Sequence, residues 1–191
     1  MLTLVEAGRG PVPSDAHPKR SRPMPMNTLK DLLLAQLNEL HAAERHASKA
    51  MPDFARSAEH PDLAATLRRR GEACKDRLLK LDEAFREAGA RPHPARAETD
   101  GMKGLIRDCL ELAKAAKSEP VVRDAAIIAG VQHIAHDQIA GYGCARTWAE
   151  ILGFPNAVSR LQLALTEERK LDADLSAIAA KVNRAATVSG T

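Results

Sequence analysis

Aromatic side chains are scarce in this sequence of 191 residues, which has one Trp, one Tyr and three Phe. Alanine and leucine dominate the chain instead, and this mixture favours helices packed on helices over a β-sheet. A chain of this length is long enough to bury a substantial core, so we expect a single domain.

Long apolar runs and an excess of charge are also missing. No apolar run approaches the roughly 20 residues that a membrane-spanning helix needs, so we predict no membrane segment. The 28 basic and 25 acidic side chains leave a formal net charge of +3, which is close to balance. The segment PKRSRP holds only three basic residues. The electrostatics therefore do not predict a nucleic-acid partner.

Cysteine is present in a number and spacing that do not suit a disulfide framework. Cys74, Cys109 and Cys144 are odd in number and far apart, which is typical of buried thiols in a reducing compartment. A Gly-rich phosphate loop, a nucleophile elbow and a Cys-x-x-Cys pair are all missing. The catalytic classes that depend on those motifs therefore find no support.

The two ends of the chain differ from its middle. Residues 1–25 contain five of the eleven prolines, each of which fixes φ and removes a backbone donor, so we predict a disordered tail. This segment lacks the apolar core of a signal peptide. Met26 follows directly, and a start codon assigned too early would give the same pattern, so Met1 and Met26 both remain alternatives for the first residue. A second disordered tail is predicted for residues 186–191.

Helical periodicity extends over the region between the tails. Thr28 and Asp31 resemble a capping box at the start of the first helix, and Pro61 suits the first turn of a second. The Gly-Phe-Pro sequence at 153–155 separates two further long helices. Four long amphipathic helices and one shorter connecting helix predict an all-α fold for residues 26–185, namely a four-helix bundle with a crossover.

Three acidic residues interrupt the apolar stripes of these helices. Glu44 falls on the inward stripe of the first helix, and Glu168 and Asp172 follow the inward stripe of the last. A carboxylate that faces the middle of a bundle is costly unless it is paired or bound to a metal. We therefore predict a polar site in the bundle centre. The alternative is that each acid lies at the edge of its stripe and reaches water.

Two basic residues of the second helix also lie close to the direction of the bundle centre. Arg70 and Arg77 flank the inward line that Cys74 marks on the second helix, and Gln138 lies near the inward direction of the third long helix. A guanidinium group can bind a carboxylate through two parallel hydrogen bonds. Arg70 and Arg77 are therefore candidate charge partners of the inward acids.

Two histidines in the stretch QHIAHDQIAGYG have the spacing of metal ligands on a helix. His133 and His136 are three residues apart, and Asp137 is next to the second. The rotation of about 100° per residue places all three away from the inward stripe of their helix. We interpret them as candidates for a surface metal site or a partner contact. The alternative is a polar outer face or a contact between two copies of the chain.

Five segments, taken together and in this order, resemble the ferritin-like YciE/YciF stress-protein family. The resemblance covers residues 26–183 and rests on LNELHAAER, GMKGLI, RDAAIIAG, HDQIAGYG and LTEERKLDADL. It implies a ferritin-like four-helix bundle with a short crossover helix, a cytoplasmic homodimer and a link to stress responses. It also implies a di-iron carboxylate centre with a ferroxidase role. The protein partner is not indicated.

The ligand positions of the family are only partly occupied by ligands in this chain. The acidic positions of the first and last helices match Glu44, Glu168 and Asp172. Of the family's remaining ligand positions only the histidine of the third long helix is kept, as His136, and the others hold different residues here: Arg70, Ala73, Cys74, Arg77, Ala135 and Gln138. A di-iron centre commonly needs about four carboxylates with one or two histidines to neutralise and bridge two cations.

We therefore predict a degenerate or altered centre in which Glu44, Glu168 and Asp172 form a remnant metal site. The predicted role is structural or interactive, without catalysis. The alternative is a metal-dependent ferroxidase or peroxide-consuming oxidoreductase that uses a di-iron or mononuclear site. The residues alone leave the question of an enzyme open and establish no cofactor, and only the resemblance points to iron.

Overall fold

A computed structural model describes residues 26–93, 100–116 and 118–188 of the chain. The predicted N-terminal tail and most of the loop before the connecting helix lie outside these residues. The described part contains helices and no strand. The five helices, in chain order, are α1 (Leu29–Ser57), α2 (Pro61–Glu87), α3 (Asp100–Ala115), α4 (Pro120–Ile151) and α5 (Pro155–Val188).

The helix starts follow the local sequence signals. The hydroxyl of Thr28 accepts a hydrogen bond from the backbone N–H of Asp31 at 3.1 Å, and the Asp31 carboxylate accepts one from the backbone N–H of Thr28 at 3.0 Å. The predicted capping box is therefore present. Pro61 and Pro120 are the first residues of α2 and α4, where the missing proline N–H has no intrahelical partner to lose.

Two helices are followed by glycines, and the last helix ends later than the sequence predicted. Gly89 after α2 and Gly153 after α4 have φ of 70° and 74°, a left-handed conformation that glycine adopts without a steric penalty. The last helix continues to Val188, so residues 186–188 are helical where the sequence predicted a tail. Residues 189–191 lie outside the described residues.

Four of the helices surround a common centre. The short connections at 58–60 and 152–154 make α1 and α2, and α4 and α5, antiparallel neighbours. The two pairs pack on each other through contacts of α1 with α4 and of α2 with α5. The connecting helix α3 lies mainly against α4. This arrangement confirms the predicted all-α, ferritin-like bundle with a short crossover helix.

The crossover helix approaches α4 closely because Gly130 lacks a side chain. A Cβ atom at Gly130 would overlap the side chain of Cys109, which is itself buried in α3.

No helix in the described part of the chain is both long and apolar enough to cross a membrane.

Two apolar clusters make up the core, one at each end of the bundle. The crossover-end cluster includes Phe54, Leu67, Met102, Ile127 and Leu175. The distal cluster includes Leu37, Phe85, Tyr142, Ala149 and Leu161. Each long helix places a buried polar side chain between its two apolar stretches: Glu44 on α1, Arg77 on α2, Gln138 on α4 and Glu168 on α5. A polar layer therefore crosses the middle of the bundle.

Candidate functional site

Four charged side chains in this layer are shielded from solvent. Glu44 on α1, Arg70 and Arg77 on α2, and Glu168 on α5 are between 0% and 4% exposed. We call these four residues the ionic centre. Two guanidinium groups and two carboxylates bring its formal charge to zero, which is the condition under which buried charges are tolerated.

Arg70 joins the two carboxylates of the ionic centre. Its Nη1 atom donates to Oε2 of Glu44 at 3.0 Å, and its Nη2 atom is 2.7 Å from Oε1 of Glu168. The same Nη2 atom also donates to the side-chain oxygen of Gln138 on α4. One guanidinium group thus connects α2 to three other helices.

Arg77 joins the same carboxylates and also reaches the surface. Its Nη1 atom is 3.4 Å from Oε1 of Glu44 and contacts Oε1 of Glu168. Its Nε atom donates to Oε2 of Glu167 at 2.9 Å, and the Glu167 side chain is 35% exposed. Lys80 lies 3.6 Å from the other oxygen of Glu167. The polar contacts therefore continue from the bundle centre to solvent.

Glu44 is held in its ionised form by its surroundings. Burial opposes ionisation, but the charges of Arg70 and Arg77 outweigh it and hold the pKa of the Glu44 carboxyl below its ordinary value. Oε1 of Glu44 also accepts hydrogen bonds from the Tyr142 hydroxyl at 2.8 Å and from Nε2 of Gln138 at 3.1 Å. Burial, followed by the nearby Glu44 charge, raises the pKa of Tyr142 well above its ordinary value, so this hydroxyl remains a donor.

Sequence reasoning missed Tyr142 and Glu167. Tyr142 is four residues after Gln138, so it lies on the same face of α4, and this spacing was the available signal. Glu167 precedes Glu168 and lies at the edge of the helix interface, where the Arg77 side chain reaches it. Its sequence position alone does not distinguish it from an exposed acid.

Two atoms of the ionic centre have no hydrogen-bond partner among the described residues. They are Oε2 of Glu168 and Nε of Arg70, and both are buried. Every other carboxylate oxygen of the centre accepts at least one contact from an arginine. Glu168 thus keeps one acceptor atom that the protein side chains around it do not use.

Asp172 lies apart from the ionic centre, and the prediction that it faces inward is wrong. Its side chain is 25% exposed, and its Oδ1 atom accepts a hydrogen bond from Gln132 at 2.9 Å. Leu171 and Leu175 occupy the buried positions on the next turn of α5. Because four residues leave a net rotation of about 40° around the helix axis, Asp172 does not share the direction of Glu168. It lies in the groove between α4 and α5. The structure therefore does not bring Asp172 to Glu44 and Glu168.

The histidine pair and Asp137 do not form one site either. The His136 side chain is 62% exposed, and its Nε2 atom lies 3.2 Å from Oδ1 of Asp172, on the side of α4 that faces α5. Asp137 lines a different groove, of about 360 Å³, together with Glu39 of α1. His133 is exposed. In the part of the chain that the structure describes, no three His, Cys, Asp or Glu side chains are grouped so as to hold a metal ion.

The donor set of the ionic centre does not fit a di-iron site. Two carboxylates would have to neutralise two divalent cations in the presence of two fixed guanidinium charges. Ala135 and Gln138 provide no carboxylate from α4. Burial raises the pKa of the Cys74 thiol to about 12, so this side chain adds no negative charge to the centre.

The chain is similar to known proteins over most of its length. Protein YciF of Escherichia coli (strain K12) is 30% identical over 156 residues, which are 82% of this chain and 93% of that protein. The crystal structure of the E. coli stress protein YciF matches with a TM-score of 0.78 and 27% identity, covering 83% of this chain and 99% of that one.

A second solved structure is YcfI from Rhodopseudomonas palustris, provisionally described as a structural protein. It has a TM-score of 0.75 and 32% identity, and the match covers 80% of this chain and 96% of that one. A family model described as a domain of unknown function, DUF892, matches residues 28–187. This protein therefore belongs to the DUF892 family and is a YciF-like helical protein.

Proposed function

We propose that the protein is a metal-independent, non-catalytic member of its family, in which the helical bundle has a structural or interaction role. The observation that carries this proposal is the position of Arg70 and Arg77, whose guanidinium groups contact both Glu44 and Glu168 in the bundle centre. Two arginine charges neutralise the two inward acids. The carboxylates are then engaged as ion-pair partners and are not free to act as ligands to a resident metal.

The descriptions of two relatives support the structural part of this proposal in general terms. E. coli YciF is named as a stress protein, and the Rhodopseudomonas relative is provisionally described as structural. We propose a stress-related structural role for this chain, as a cytoplasmic homodimer. Light scattering coupled to gel filtration tests the dimer, and the expected mass is twice the 20.6 kDa of the chain. A monomeric mass at micromolar concentration would contradict that part of the proposal.

The decisive experiment is iron loading of the purified protein. The protein is incubated with Fe(II) without oxygen, freed of unbound metal and then exposed to air. We expect far less iron than the two ions of a di-iron centre, and a rate of Fe(II) oxidation equal to that of buffer. Stoichiometric iron with rapid oxidation would overturn the proposal in favour of a ferroxidase. Consumption of added peroxide by an iron-loaded form would instead favour a peroxide-consuming oxidoreductase.

A further inference from the structure

One nitrogen atom of Arg77 lies between the two carboxylates of the ionic centre. Nη1 is 3.4 Å from Oε1 of Glu44 and contacts Oε1 of Glu168. A positive group that bridges two carboxylate oxygens occupies the place that a hard divalent cation takes in an all-oxygen site. The second oxygen of Glu168 is buried and has no partner among the described residues. It remains available as an additional ligand atom.

The charge balance of the centre depends on each arginine separately. Without Arg77, the single charge of Arg70 faces Glu44 and Glu168, and the centre has one net negative charge. A buried, uncompensated carboxylate is strongly unfavourable, so such a centre attracts a cation or a proton. Loss of Arg77 therefore both vacates the bridging position and leaves a net negative charge that favours the binding of a cation.

The two arginines differ in their distance from solvent. Arg77 also contacts Glu167, whose side chain is 35% exposed, so a shorter side chain at position 77 opens a polar route from the surface. Among the described residues, the polar side-chain contacts of Arg70 are all with buried residues: Glu44, Cys74, Gln138 and Glu168. The removal of Arg70 therefore opens no comparable route.

We infer that Arg77 is the residue that excludes divalent metal ions from the centre of this bundle. This inference rests on the proposed function and identifies the side chain responsible for it. Removal of Arg77 would leave two carboxylates and Arg70, a donor set for one divalent ion at most, so the inference concerns a single cation site and not a di-iron centre. The chemical class of ion that Arg77 excludes is a hard divalent cation with a preference for oxygen ligands, for which Mn²⁺ is a suitable probe.

The test compares three variants with the unmodified protein. Arg77→Met removes the charge and leaves a shorter side chain without the guanidinium tip, and Arg77→Lys keeps the charge but changes the shape. Arg146→Met is the matched control, because Arg146 pairs with Glu150 on the outer surface of α4. Mn²⁺ binding is measured by the loss of the electron paramagnetic resonance signal of the free ion, and the melting temperature is recorded with and without Mn²⁺.

We expect Mn²⁺ binding by Arg77→Met alone. At a concentration near 100 times the dissociation constant, Mn²⁺ should raise its melting temperature by roughly 5–10 °C. The unmodified protein, Arg77→Lys and Arg146→Met should show no shift. A folded Arg77→Met variant without Mn²⁺ binding would overturn the inference and leave the proposed function intact. Binding and oxidation of Fe(II) by the unmodified protein would overturn the proposed function itself.

Two further outcomes also decide against the inference. Mn²⁺ binding by Arg77→Lys equal to that by Arg77→Met would show that shape, and not charge, excludes the metal. An Arg77→Met variant that folds neither alone nor with Mn²⁺ would also contradict the inference, because a cation in the place of Arg77 should restore the fold.

Discussion

Arg70 and Glu44 form a two-contact ion pair between α2 and α1, with Nη1 at 3.0 Å from Oε2 and Nη2 at 3.4 Å from Oε1. Their side chains are 2% and 0% exposed. Salt and water therefore screen this pair little, in contrast to the ion pairs on the surface of the bundle. Its contribution to folding depends on both partners being present.

A double-mutant cycle measures this dependence. Arg70→Met alone should lower the free energy of unfolding by about 3–5 kcal/mol, because Glu44 is left partly uncompensated in the core. Arg70→Met combined with Glu44→Leu should be less destabilising than the sum of the two single changes, since Arg77 and Glu168 then remain as one neutral pair. Urea denaturation of the four proteins gives the coupling energy. Additive effects would show that Arg70 and Glu44 do not interact.

Acid should weaken the bundle through Glu44. The pKa of Glu44 is lowered in the folded state, despite burial, by the charges of Arg70 and Arg77. A depressed carboxyl pKa contributes stability that is complete above the unfolded value, near 4.5, and is lost as the pH falls through the folded value. We expect the free energy of unfolding to decline below that pH. Glu44→Gln should be less stable at pH 7 and should show a smaller decline. Parallel pH profiles for the two proteins would contradict this assignment.

Asp124 should stabilise the turn between α1 and α2 from the neighbouring helix. This carboxylate is 2% exposed and accepts hydrogen bonds from the backbone N–H groups of Glu59 at 2.9 Å and His60 at 2.7 Å. Asp124→Ala should cost about 1–3 kcal/mol, because two partly buried donors lose their acceptor. The control is Asp174→Ala, which removes only a surface pair with Lys170. Equal melting temperatures for the two variants would exclude the proposed role of Asp124.

Much of the fold was predictable because its signals are local. The capping box at Thr28, the prolines at the starts of α2 and α4, and the apolar periodicity each depend on neighbouring residues. Contacts that hold the turns together were not predictable. The carboxylate of Glu87 accepts hydrogen bonds from backbone N–H groups at the start of α5, and Asp124 does the same for the α1–α2 turn. These partners are far apart in sequence, and no local pattern indicates them.

The sequence predicted which side chains point toward the bundle centre, but not which of them are buried there. Helical rotation identified Glu44 and Glu168 as inward residues, and the structure buries both completely. The same reasoning placed Asp172 inward, but an angle on a helix does not show how wide the buried interface is. At position 172 of α5 the neighbouring leucines fill the core and the carboxylate lies at the edge. Tyr142 was missed because a tyrosine at a buried position is normally taken as part of an apolar core.

The most direct test of the central claim is an anomalous diffraction measurement on crystals of the protein soaked in Mn²⁺. We predict no anomalous peak between Glu44 and Glu168, and electron density that shows Arg70 and Arg77 in contact with both carboxylates. A peak bound by Glu44 and Glu168, with Arg77 displaced toward Glu167, would contradict the claim that arginine charges occupy the centre in place of metal.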